Sequence, residues 1–66
     1  MTIDPITFVD ASSGDKACVL VRVVGASVGV ALSSRTDGDI EVFMAAAELD
    51  RVIGALQQAS EAMRRE

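Results

Sequence analysis

The sequence predicts an α+β domain, a four-stranded antiparallel meander sheet with one C-terminal helix packed on one face, in the order ββββα. Three observations lead there. Apolar residues alternate through short segments as far as Met44, the period of two that belongs to strands. Glycine-bearing turns separate those segments. From Ala45 the apolar spacing changes to four and three, the period of a helix. One domain over residues 1–66 follows, with strands at about 5–10, 17–24, 27–34 and 39–44 and a helix at about 46–64.

The first strand, "PITFVD", sets Ile6 and Phe8 against Thr7 and Val9. Pro5 suits an edge strand because it cannot donate to a ladder. "ASSGDK" is the turn into the second strand, "ACVLVRVV", a nearly continuous apolar run of the kind covered on both faces.

The stretch "VRVVGASVGVALS" has the composition of a phosphate-cradling loop, but its glycines have the wrong spacing. A dinucleotide fingerprint needs G-x-G-x-x-G opening a helix, and a P-loop needs a Gly-Lys-Ser/Thr ending. Gly25-Ala26 as a two-residue type II′ turn explains it better. Val23 then faces Val28, Val21 faces Val30 and Val19 faces Leu32.

"RTDGD" joins the third and fourth strands. A three-residue Thr36-Asp37-Gly38 loop with left-handed Gly38 pairs Leu32 with Val42 and Ser34 with Ile40, and keeps Glu41 off the core face. In the helix, Ala45, Leu49, Val52, Leu56, Ala59 and Met63 form one stripe, with Ile53 alongside. Glu48 and Asp50 near its start and Arg64 and Arg65 at its end suit the helix dipole. Gly54 alone is out of character, at a cost of about 1 kcal/mol relative to alanine. The stripe is expected to lie across the face formed by Ile6, Phe8, Val19, Val21, Val23, Val28, Val30, Leu32, Ile40 and Val42.

Composition narrows the function. The 66 residues are 50% hydrophobic, too apolar for a disordered chain. A core of this size is marginal and usually needs disulfides, metals or oligomerisation. Cys18 is the only cysteine and there is no histidine, so neither a disulfide nor a usual zinc site can form within the chain. Self-association is the reinforcement left. A formal net charge of −4 opposes binding to nucleic-acid phosphates or anionic membranes. "MTIDPITF" lacks the basic start of a signal peptide, and no apolar run approaches membrane length, so a cytoplasmic protein is expected.

No motif carries chemistry. An EF-hand loop placed on Gly38 would run from Ser33 to Met44, without a carboxylate at either end. Asp-Gly is a strong hairpin signal instead. Cys18 and the serines lack a base, so the protein is read as a non-enzyme without cofactor or metal, with carboxylate-based catalysis as a third alternative.

The strand-strand-strand-strand-helix order resembles the PC4 family of single-strand-binding coactivators. The resemblance covers element order over most of the chain, with no shared motif, and implies a dimer gripping a single strand on its sheet. Such binders use stacking aromatics and a cationic groove. Here the aromatics are Phe8 and Phe43, and Lys16, Arg22, Arg35, Arg51, Arg64 and Arg65 are scattered. Single-stranded nucleic-acid binding is therefore the alternative reading.

The second sheet face gives the leading one. The registers above align Leu20, Ala31 and Phe43 as an apolar row, flanked by Cys18 and Val24. Arg22, Ser33, Glu41 and Arg35 border it. Contiguous apolar surface with a polar rim marks a contact. Leu20, Ala31, Phe43, Cys18, Val24 and Arg22 are the expected oligomer interface of a small interaction or assembly module. Its first partner is a second copy of itself, in a dimer by simplest symmetry, with another protein as a further partner.

Overall fold

A computed structural model describes residues 1–65. It shows β1 (Ile6–Val9), β2 (Lys16–Val24), β3 (Ser27–Ser34), β4 (Gly38–Met44) and α1 (Ala46–Arg64). The four strands form one open antiparallel sheet in the order β1-β2-β3-β4, so each ladder joins neighbours in sequence. No helix among the described residues is long and apolar enough to cross a membrane.

The β2–β3 hairpin has the expected register, with Val24 opposite Ser27 and Val19 opposite Leu32. Gly25 has φ +58°, and among the described residues no non-glycine residue has positive φ. Positive φ at the first turn position alone is the mark of type II′.

The β3–β4 register differs from the sequence expectation by two residues. Leu32 pairs with Ile40 and Val42 pairs with Val30, so the loop is Arg35–Thr36–Asp37 and Gly38 (φ +79°) already pairs with Ser34. Ser34 closes this turn, its Oγ accepting the Asp37 backbone N–H at 2.9 Å. A serine at the start of a turn commonly does this. Because the slip is an even number, every side chain keeps its face. Glu41 and Phe43 lie opposite to Val42, as the sequence implies.

The edge strand continues further toward the N-terminus than expected. Thr2 bridges Arg22, the Ile3 N–H donates to the Val21 carbonyl, and the Val23 N–H donates to the Met1 carbonyl. Between this segment and β1, where Ile6 pairs with Val19, the register gains one residue at Asp4–Pro5. That is a β-bulge, and it places proline where no ladder donor is required.

One residue, Ala45, separates β4 from α1. Its extended backbone (φ −76°, ψ 170°) supplies the carbonyl that accepts the first helical bond, from Leu49. The helix approaches only β3 and β4. None of its side chains is buried, and Leu56 is 65% exposed. The expectation that its stripe lies across the first sheet face is corrected: Ile40 (61%) and Val42 (53%) on that face also remain open. The helix leaves the sheet at this one-residue joint without covering that face.

Among the described residues, no apolar side chain is therefore fully buried within one chain. The radius of gyration is 13.3 Å, against about 11 Å for a compact domain of this length. The accessible surface is 5391 Å², whereas a compact 6.9 kDa protein exposes about 4000 Å².

A first prediction concerns Gly25. A Cβ built there meets nothing within 4 Å, so any penalty comes from backbone conformation alone. Gly25→Val should lower stability by about 1 to 3 kcal/mol, the cost of a strained φ. Urea unfolding at matched protein concentration measures it, and an unchanged midpoint would refute the turn assignment.

Candidate interaction surface

Strand pairing sorts the side chains onto two faces of different character. On the first, Ile6, Val19, Leu32 and Ile40 form one row across all four strands, and Val21, Val30 and Val42 form the next. No charged side chain occupies a paired strand position on this face. The helix stripe repeats that chemistry, with Val52, Ile53, Leu56 and Met63 all exposed. One chain thus presents two partly open apolar surfaces.

The second face is mixed, and the expected straight row of Leu20, Ala31 and Phe43 is corrected by the β3–β4 register. Leu20 and Ala31 are neighbours, but the row ends at Glu41. Phe43 lies one row on, in the series Thr2, Arg22, Gly29, Phe43. Cys18 sits beside Ser33, and Val24 beside Ser27 at the hairpin end. All six expected interface residues share this face. Leu20 and Ala31 touch directly, and Arg22 meets Phe43 across Gly29.

Gly29 explains that last contact. Arg22 on β2 reaches over β3 to Glu41 on β4, its Nε donating to Oε2 at 2.9 Å and its Nη2 to Oε1 at 2.7 Å. The guanidinium also stacks 5.3 Å from the centre of the Phe43 ring. Crossing two strand spacings, about 10 Å, requires a gap in the middle strand. Gly29 supplies it and is the one buried residue among those described. A Cβ there would fall 2.8 Å from Phe43 Cε2 and 3.0 Å from Glu41 Oε2. Sequence reasoning missed this role. The signal was a glycine directly opposite Arg22 on a strand that otherwise alternates cleanly.

The Arg22 hydrogen bonds, aided by its charge, hold the Glu41 carboxyl below its usual value and raise the guanidinium in turn. At the other end of the sheet, the Ser12 and Ser13 backbone N–H groups donate to Asp10 Oδ1 and hold that carboxyl low as well. The Thr36 hydroxyl donates to Asp15, tying the two loops of that end together. Ser33 donates to Asp39. These carboxylates serve local turns and pairs. Among the described residues, no three His, Cys, Asp or Glu side chains converge on a metal-sized site. Comparison with family models, curated proteins and solved structures finds no match to this chain.

Two predictions follow from the cluster around Arg22. Gly29→Ala should push the Phe43 ring off the guanidinium and cost about 1 kcal/mol, the low end for overpacking because the ring is half-exposed. The cost should shrink in a Phe43→Ala background, a coupling read by a double-mutant cycle of thermal melts. The second concerns acid. Glu41 has a lowered folded-state pKa, so its contribution is complete above the ordinary value of 4.5 and is lost as pH falls through the lower folded value. Melting temperature from pH 7 to pH 3 should fall less steeply in Glu41→Gln than in the wild type. Parallel curves would show that the pair does not stabilise the fold.

Proposed function

We infer that this chain is a small non-enzymatic interaction and assembly module that works as a homo-oligomer, with a twofold dimer as the simplest form. The observation that carries this reading is the missing interior. A sheet and a helix, both apolar on one side, fully bury no apolar side chain among the described residues of one chain. About 1400 Å² of surface per chain exceeds what a compact protein of this mass exposes. Two copies covering that excess would bury about 2800 Å² in total, within the span of obligate homodimers. A disulfide within the chain cannot supply the reinforcement, since Cys18 is the only cysteine.

The first sheet face and the helix stripe form the main contact in this reading. The second-face residues Cys18, Leu20, Ala31 and Val24 provide a smaller one, bordered by Arg22 and Phe43, for a further protein partner. A lone half-exposed thiol suits a reducing compartment such as the cytoplasm. The PC4-like alternative, single-strand binding, gains support from the openness of the sheet. It is weakened because Arg22, the cation at the centre of the second face, is tied to Glu41 and covers Phe43, the aromatic a base would stack on.

Light scattering should give a multiple of 6.9 kDa, and melting temperature should rise with protein concentration. A monomeric mass with concentration-independent melting would rule out self-association. Salt-dependent retention on a single-stranded nucleic-acid column would instead favour the alternative.

A further inference from the structure

We propose that α1 of each copy lies across the first sheet face of the other, so that two chains complete each other's interior by exchanging helices. This inference rests on the self-association reading and names its geometry. Two unlike apolar surfaces need cover, a stripe and a sheet face, and within one chain both stay largely exposed. Ala45 alone joins them, and the helix it launches reaches only β3 and β4. A second copy carries the complement of each.

Size and chemistry fit. From Leu49 to Met63 the stripe is about 21 Å long at 1.5 Å per residue. The four strand axes span about 14 Å. One helix therefore crosses the whole sheet. Neither surface carries a charge that burial would strand. The second face is a poor seat, because Arg22, Asp39 and Glu41 would lie beneath the stripe.

Symmetry favours the same arrangement. In a twofold contact, whatever surface i of one copy touches on the other is touched in return. Helix on sheet and sheet on helix are thus one isologous contact that covers both surfaces at once. A sheet-to-sheet sandwich would pair the first faces and leave the stripes to a separate contact.

The wild-type protein tests this directly. Isotope-labelled and unlabelled chains, unfolded and refolded together, should give intermolecular NOEs from the Leu56 and Val52 methyls to first-face residues such as Ile40 and Val42. Finding those NOEs within one chain overturns the proposal, as do intermolecular NOEs that join first face to first face. If the protein is a dimer by light scattering and shows either pattern, helix exchange is wrong while self-association stands. A monomer at NMR concentration would sink both. Complementation gives a second readout. Leu56→Lys and Ile40→Glu should each lose the dimer alone, because both halves of a homodimer are damaged. Mixing them should restore it, because a mixed dimer gathers both faults in one half and leaves the other native. A mixture no better assembled than its components counts against exchange.

Discussion

Ala45 is the only residue between the last strand and the helix, and its extended backbone decides which way the helix leaves the sheet. From that joint follows the open shape of the molecule. Its extents are 35 × 30 × 18 Å, and no apolar side chain among the described residues is fully buried. Hydrophobic burial is the dominant favourable term in folding. A chain that leaves this much apolar surface open alone has more to gain by contact. Half the residues are apolar, so the material for a core is present. It is spread over a sheet face and a helix stripe that both stay largely exposed.

The second face is organised by a different economy of space. Gly29 has no side chain, and because of that Arg22 can reach a carboxylate two strands away and lie on an aromatic ring. Three strands are thereby tied together on a surface that water reaches. Bidentate geometry gives the pair its direction, and the ring removes part of the guanidinium from solvent. The contrast with the first face is informative. One side of the sheet satisfies its own side chains, and the other leaves them waiting.

Much of this was legible in the residues themselves. Alternation identified three strands and a nearly continuous apolar run the second, glycine at the head of a two-residue turn identified the β2–β3 register, and three-four spacing identified the helix to its ends. The β3–β4 slip was not legible from hydrophobicity, because registers two residues apart place the same side chains on the same face. In the register observed, the Ser34 hydroxyl accepts the Asp37 backbone N–H inside the turn. The pairing of Thr2 and Ile3 was hidden by Pro5, which reads as a strand boundary until a bulge carries the ladder past it. An amphipathic stripe shows that a helix wants a cover, but the direction of a one-residue joint is not written in periodicity. The straight apolar row on the second face failed for the same reason as the register on which it was built.

The meander order also bears on how quickly the chain organises. Each ladder pairs a strand with the one before it, and the most distant backbone pairing joins the N-terminus only to the far end of β2. Short loops close at small entropic cost, so topology of this kind favours rapid sheet formation. Speed here is separated from permanence. A sheet that zips up in sequence order, yet buries little, is readily reopened until something covers it. Its lifetime is then set by how readily the ladders open, a separate quantity from how fast they form.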